Sequence, residues 1–135
     1  MRDVGGGVPD IGRVAWGEVA ELRWQVATFG FHLASLEVRQ HATVHAAALR
    51  AIRDGAPGST EVAPGVTVDE VLATFRAIAE AQARFGVAAC HRYIVSFTSA
   101  TSDVTDVLEL ARLAVALDPA SGDGPRPEPP ILDVV

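Results

Sequence analysis

The stretch Tyr93-Ile94-Val95-Ser96-Phe97-Thr98 predicts both a strand and the class of the fold. It is rich in β-branched and aromatic residues, which favour strands, and it has no polar face until its end. A continuous apolar run is typical of a strand that is buried on both sides, as in parallel sheets covered by helices. We therefore expect a buried strand of an α/β protein.

Two further strand patterns lie on either side of this stretch. In residues 33–40 the tail alternates Leu36 and Val38 with the charged Glu37 and Arg39, which predicts a strand with a charged end. Residues 131–135 are mostly apolar and follow a Gly/Pro-rich segment, which predicts a third strand.

Four helices are predicted between and around the strands. Their expected ranges are about 14–29, closed by Gly30; about 43–53; 67–86, opened by a capping box of Thr67 and Glu70; and a helix capped by Ser102-Asp103 that runs to about 117. Apolar residues recur in them at three- and four-residue steps, the period of an amphipathic helix.

The order of elements is helix, strand, helix, helix, strand, helix, strand, which predicts an α/β fold with parallel strands and helical crossovers. We expect residues 1–12 to be a flexible lead-in and residues 13–135 to form one segment with loops near 55–66 and 118–130. Three strands leave two sheet edges bare. The pattern therefore indicates part of a larger fold.

Composition excludes several classes of function. The chain has 135 residues and a net charge of −6, which argues against nucleic-acid binding. All 11 basic residues are arginine, and lysine and asparagine are absent. A Schiff-base lysine, a Walker-type phosphate loop and an asparagine glycosylation site are therefore excluded.

The single cysteine, Cys90, cannot form an internal disulfide, which suits a reducing compartment. The chain has no apolar run of 18 or more residues and no signal-peptide pattern at its start. We therefore expect a cytoplasmic protein that does not bind membranes.

Three groups of side chains are candidates for chemistry. His41 and His45 are four residues apart, a metal-site spacing, but the intervening Ala-Thr-Val lacks the glutamate of a zinc protease, and structural or surface histidines are favoured. Cys90, next to His91, is read as a buried or incidental thiol. The carboxylates Asp103, Asp106 and Glu109 suit the first turns of a helix better than catalysis.

Arg39 is the strongest candidate, because it lies at the carboxyl end of a predicted parallel strand. Ligand-binding groups of α/β sheets and barrels occur at this end, and a guanidinium binds phosphate and carboxylate through paired donors. A salt bridge to Glu37 or to a neighbouring helix is the alternative, and position alone does not separate the two.

The motifs together resemble the phosphoenolpyruvate carboxylase family over about residues 15–135. Residues 31–40 with His45 are similar to that family's strand ending in aspartate-valine-arginine-glutamine and its later histidine. Residues 93–97 with Ser102-Asp103-Val104 resemble its tyrosine-valine-isoleucine-serine-methionine strand and serine-aspartate-valine helix start. Departures are Glu37 in place of an aspartate and His41-Ala42 where the family often has glutamate and serine.

The resemblance implies an internal fragment of a (β/α)₈ TIM barrel within a larger, mostly helical enzyme. It implies conversion of phosphoenolpyruvate and bicarbonate to oxaloacetate and phosphate, an anaplerotic carbon-fixing lyase reaction, through carboxyphosphate and an enolate. Arg39 matches an active-site arginine that stabilises anionic groups and serves as both the catalytic and the substrate-binding residue. The family uses Mg²⁺ or Mn²⁺ and commonly forms homotetramers.

The resemblance places the family's catalytic histidine before this segment and its metal ligands after it, so no metal ligand is assigned here. We therefore expect the isolated chain to be inactive and to act only with the remaining segments of the enzyme. A truncated product, one part of a split enzyme and a sequencing boundary are all consistent with this. The alternative is a non-catalytic remnant that serves as a binding or scaffold module.

Overall fold

The structure is a computed structural model that describes residues 17–30, 34–119 and 128–135. The chain divides into two compact units, Met1–Ala34 and Ser35–Val135. In the first unit, helix α1 spans Glu18–Phe29, and the N–H of Gly30 donates to the carbonyl of Val26 at 2.9 Å. The predicted helix is thus present. Residues 1–12, the start predicted near residue 14 and most of the 118–130 loop lie outside the described residues.

The second unit contains the remaining elements. In chain order they are β1 (Leu36–His41), α2 (Ala42–Arg53), β2 (Glu61–Ala63), β3 (Val66–Thr67), α3 (Val68–Phe85), a short 3₁₀ helix (Val87–Ala89), β4 (Cys90–Ser96), α4 (Thr101–Ala116) and β5 (Asp133–Val134). The α-helices of this unit and the strands β1, β4 and β5 match the predicted succession, whereas β2, β3 and the 3₁₀ helix were not predicted.

The main sheet has three strands in the order β1-β4-β5, and both pairings are parallel. In the register, Val38 lies opposite Tyr93 and Arg39 opposite Ile94. The α2–α3 connection joins β1 to β4, and α4 lies between β4 and β5 in sequence. The predicted α/β architecture with three parallel strands and helical crossovers is therefore confirmed.

The prediction that the central strand is buried on both sides is wrong. Strand β4 begins at Cys90 and alternates: Tyr93 and Val95 are buried, whereas Arg92 is exposed and Ile94 is half-buried. Among the described residues of this unit, the helices α2, α3 and α4 supply apolar partners for one face only, and the other face carries charged side chains. The apolar sequence of residues 93–97 conceals this alternation because Ile94 lies on the uncovered face.

The core lies between the covered face of the sheet and helices α2, α3 and α4. It is formed by the following buried residues: Ala42, Val44, Ala48, Leu49, Val68, Val71, Leu72, Phe75, Ile78, Cys90, Tyr93, Val95, Val107, Leu110, Ala111 and Ala114. The Phe75 and Tyr93 rings stack at its centre, with centroids 5.2 Å apart. Burying an aromatic or large aliphatic side chain contributes about 1.5–3 kcal/mol. This packing fixes the covered face of β4.

The segment expected to be a loop near residues 55–66 contains a small antiparallel hairpin of β2 and β3. Its turn places Gly65 at φ 72°, a conformation that favours glycine, and the Gly65 N–H donates to Oε1 of Glu61 at 2.7 Å. Val62, Ala63 and Val66 pack against the core. The strands are too short for an alternating pattern to reveal them in the sequence.

The start of α3 agrees with the predicted capping box. The Thr67 hydroxyl accepts from the Glu70 N–H at 3.3 Å, and the Glu70 carboxylate accepts from the Thr67 N–H at 2.7 Å. The hydrogen bond from the Thr67 backbone lowers the pKa of the Glu70 carboxyl.

Within the described residues, no helix is long and apolar enough to cross a membrane.

Candidate functional site

The carboxyl ends of β1 and β4 lie side by side, because the two strands are parallel and His41 pairs with Ser96. Arg39 pairs with Ile94 two residues inward from this edge. Side chains alternate along a strand, so Glu37, Arg39 and His41 share one face of β1. Their partner strand buries Tyr93 and Val95 on the opposite face, which places Arg39 on the uncovered face of the sheet.

Arg39 is exposed and forms no ion pair with any described residue. The alternative salt bridge to Glu37 is therefore absent from the described part of the chain, although both side chains project from the same face. A guanidinium without a partner keeps all its N–H donors available to an anionic ligand. Its position at the carboxyl edge agrees with the position expected of a ligand-binding group.

The uncovered face also carries Arg92 and Asp133, which lie opposite each other in the register of β4 and β5. Together with Glu37, Ile94, Val95 and Val135 they line an open depression of about 570 Å³. Charged side chains on a sheet face are stable when water or a polar ligand contacts them. The uncovered face thus carries both charged and apolar side chains.

Side chains accept backbone N–H groups at the starts of both helices at this edge. Nδ1 of His41 accepts the Thr43 N–H at 3.2 Å at the start of α2. At the start of α4, the Asp103 carboxylate accepts the N–H groups of Ser99 at 2.7 Å and Ala100 at 3.0 Å. These hydrogen bonds lower the pKa of the Asp103 carboxyl, and the bond from the Ser99 N–H contributes most. The guanidinium of Arg39 is therefore the charged donor that the described residues of this edge offer to an anionic ligand.

The prediction that Ser102 caps α4 is wrong in part. Helix α4 begins at Thr101, so Ser102 lies inside its first turn, and Asp103 supplies the capping carboxylate alone. Among the other carboxylates of this helix, Glu109 forms an exposed ion pair with Arg53 at 2.8 Å. Asp103 and Glu109 therefore have structural partners.

His41 and His45 occupy two different environments. The His41 ring stacks on Phe97 with centroids 4.6 Å apart. His45 is fully buried, and its Nε2 is 2.8 Å from the Tyr93 hydroxyl. Burial lowers the pKa of His45 from 6.5 to about 4, the nearby Asp103 opposes this, and His41 adds to it. Burial also raises the pKa of Tyr93, so both partners are neutral at physiological pH.

The part of the chain that the structure describes contains no group of three or more histidine, cysteine, aspartate or glutamate side chains able to hold a metal ion. The Mg²⁺ or Mn²⁺ implied by the resemblance therefore does not fit a donor set made of these residues. Cys90 is buried at the other end of β4, and burial raises the pKa of its thiol. We interpret Cys90 as a residue that packs in the core.

Sequence reasoning missed two features of this edge. The His45–Tyr93 hydrogen bond joins residues 48 positions apart, and no local pattern marks it. Phe97 is 80% exposed and has φ 61°, a conformation rare for an aromatic residue. The sequence around Phe97 predicted a strand. Its position at the end of the apolar run was the only sequence feature that could have indicated a change of conformation there.

Comparison with known proteins identifies the family to which the chain is similar. The family model for phosphoenolpyruvate carboxylase matches residues 9–61 and 56–132. A phosphoenolpyruvate carboxylase of Rhodopseudomonas palustris (strain BisA53) is 38% identical over 135 aligned positions, which cover 79% of this chain and 14% of that protein. No solved structure matches the chain.

Two further relatives agree. A phosphoenolpyruvate carboxylase of Xanthomonas oryzae pv. oryzae is 35% identical over 89% of this chain, and one of Thermosynechococcus vestitus is 30% identical over 87%. The alignments cover 15% and 14% of those proteins, so the chain spans about one seventh of the length of its relatives. The chain belongs to the phosphoenolpyruvate carboxylase family.

Proposed function

We propose that this chain supplies one segment of a phosphoenolpyruvate carboxylase, which converts phosphoenolpyruvate and bicarbonate to oxaloacetate and phosphate. The observation that carries the proposal is the exposed guanidinium of Arg39 at the carboxyl edge of the parallel sheet, which has no ion pair with a described residue, in a chain of this family. Within the segment, Arg39 is the residue that binds substrate and contributes to catalysis.

Arg39 acts by binding anionic groups. Phosphoenolpyruvate and carboxyphosphate carry phosphate and carboxylate groups, and the enolate carries a developing negative charge. A guanidinium donates paired N–H bonds to such groups, and a fixed donor stabilises a charge that grows in the transition state. The rigid pairing of β1 with β4 holds the Arg39 backbone in place before the substrate binds.

The divalent metal of the family is not assigned to this segment, because the described residues do not fit a metal site. No step performed by Arg39 depends on such an assignment. We infer that the isolated chain does not catalyse the overall reaction, since it spans about one seventh of its relatives. Its functional partners are the remaining segments of the enzyme.

We also propose that the three-stranded sheet is part of a (β/α)₈ barrel. Two observations support this: the strand order β1-β4-β5 follows the chain in one direction, and the core helices cover one face of the sheet only. In a barrel the uncovered face lines the interior, and closure pairs both edge strands. We further propose that the complete enzyme is a homotetramer in the reducing cytoplasm, with no nucleic-acid or membrane partner.

The test measures oxaloacetate formation from phosphoenolpyruvate, bicarbonate and Mg²⁺. The chain is assayed alone and then mixed with the flanking segments of a relative. We expect activity only in the mixture, and its loss in Arg39→Ala but not in Arg84→Ala, which removes an exposed arginine at the end of α3.

Activity of the chain alone would contradict the inference that it depends on other segments. Activity of the mixture that survives Arg39→Ala would contradict the role of Arg39. Absence of activity in both preparations would favour the remnant with a binding or scaffold role.

A further inference from the structure

The carboxyl edge of the sheet contains one strained and exposed aromatic residue. Phe97 directly follows β4, has φ 61° and is 80% exposed. This left-handed conformation is costly for a bulky side chain, and the exposed ring gains little from burial. Strain of this kind is concentrated at binding and active sites, where the surrounding structure maintains it.

The turn around Phe97 is held on both sides. The Thr98 hydroxyl donates to the Val95 carbonyl at 3.0 Å, and the Asp103 carboxylate binds the Ser99 N–H at 2.7 Å. The Phe97 ring stacks on His41, with an interplanar angle of 22°. The local hydrogen bonds therefore fix the backbone so that the ring covers one side of the imidazole.

The hydrogen bonds of His41 determine which nitrogen carries its proton. The Thr43 N–H can only donate, so Nδ1 of His41 must accept, and the neutral ring carries its proton on Nε2. Nε2 has no hydrogen-bond partner among the described residues. His41 thus presents one free N–H donor at the carboxyl edge.

This donor lies on the same face of β1 as the Arg39 guanidinium. The two residues are separated by two positions, about 6.6 Å along a strand, a span that a small oxyanion and a flexible arginine side chain can bridge. At the starts of α2 and α4, side chains already accept the N–H groups of Thr43, Ser99 and Ala100. Arg39 and His41 are two donors that this face of β1 offers to a ligand at the carboxyl edge.

We propose that His41 and Phe97 complete an oxyanion site with Arg39: His41 Nε2–H donates to the phosphate or carboxylate that Arg39 binds, and Phe97 holds the imidazole and shields it from water. The inference rests on the proposed function, because it assigns two further substrate-positioning residues to the same site. The ligand is a small anion that carries either group.

The experiment uses the 135-residue chain and follows the His41 ring and Arg39 Nε signals by NMR. Inorganic phosphate and oxalate are titrated separately at constant ionic strength, so the two arms distinguish phosphate from carboxylate. We expect both residues to respond to the same anion with one dissociation constant.

His41→Asn is the main variant, because the asparagine oxygen still caps α2 whereas the Nε2–H donor is lost. We expect about tenfold weaker binding, equivalent to about 1.4 kcal/mol. Phe97→Leu removes the stacked ring and weakens binding about threefold. Phe97→Gly removes the strain and weakens binding without lowering the unfolding temperature, a combination that a purely structural residue would not produce.

Arg84→Ala serves as the matched control and leaves binding unchanged. The proposal is overturned if neither anion shifts the His41 and Arg39 signals, or if His41→Asn binds as tightly as the unmodified chain while Arg39→Ala does not. In that second case the role of Arg39 in the proposed function still stands. Binding that survives Arg39→Ala would contradict both.

Discussion

The carboxamide of Gln82 binds both backbone groups of Ile131, although the two residues are 49 positions apart. Its Nε2 donates to the Ile131 carbonyl at 2.8 Å, and its Oε1 accepts the Ile131 N–H at 2.9 Å. Nε2 also donates to the Cys90 carbonyl at 2.6 Å. One buried side chain of α3 thus connects the start of β4 to the segment that leads into β5.

Gln82→Leu is expected to lower the free energy of unfolding by about 2–4 kcal/mol, because the Cys90 carbonyl, whose bond is buried, and the part-buried backbone groups of Ile131 lose their partner. An unsatisfied buried group costs about 1–3 kcal/mol. Urea denaturation measures this. Glu80→Ala, an exposed change on the same helix, should stay within about 0.5 kcal/mol. Faster hydrogen exchange of the Ile131 amide in Gln82→Leu would locate the effect, and a loss below about 1 kcal/mol would refute it.

The buried His45 makes the stability of the chain depend on pH. Its pKa is about 4 in the folded chain and about 6.5 when unfolded, so between these values the unfolded chain binds a proton that the folded chain does not. Stability is therefore full above about pH 6.5 and falls as the pH decreases towards 4. We expect a loss of about 2 kcal/mol between about pH 7.5 and pH 5, measured by urea denaturation.

The control for this dependence is His45→Gln, which cannot titrate. The variant should be less stable than the unmodified chain at neutral pH, because it removes the bond to Tyr93. Its free energy of unfolding should, however, fall much less between pH 7.5 and 5. The lowered pKa values of Glu70 and Asp103 add acid sensitivity only below their ordinary values of 4.5 and 3.8. An unchanged decrease in His45→Gln would assign it to other groups.

Local sequence signals predicted the helices and the long strands of the second unit correctly. The Thr67–Glu70 capping box is an example, because both of its hydrogen bonds join residues three positions apart. Arg39 was also placed correctly at the carboxyl end of β1 and the sheet edge. Alternation along one strand and the rule for parallel strand ends were sufficient for this.

The features that sequence reasoning missed depend on distant partners. Gln82 reads as an ordinary polar residue of an amphipathic helix, and its function as a bridge requires Ile131. For His45 the sequence favoured a structural or surface role over metal binding, but its partner Tyr93, 48 positions away, was not predictable from it. Burial of β4 on one face only follows from where the helices lie, which the apolar run of residues 93–97 could not show.

The start of α4 distinguishes the predicted cap from the observed one. Asp103→Ala removes the acceptor for the N–H groups of Ser99 and Ala100, and should lower the unfolding temperature by a few degrees. Ser102→Ala, inside the first turn, should leave it unchanged. Circular dichroism during heating measures both variants. Equal effects, or a larger effect of Ser102→Ala, would restore the serine as the cap.

Arg39→Ala should leave the free energy of unfolding within about 0.5 kcal/mol of the unmodified chain, because the side chain is exposed and has no ion pair with a described residue. Arg53→Ala, which removes the exposed pair with Glu109, is the comparison and should cost about 0–1 kcal/mol. Urea denaturation at two salt concentrations separates the two variants, since only the Arg53 effect is screened. A loss above 1 kcal/mol in Arg39→Ala would show a structural role for this guanidinium. A neutral result, together with weaker anion binding, would mean that the arginine serves the ligand and not the fold.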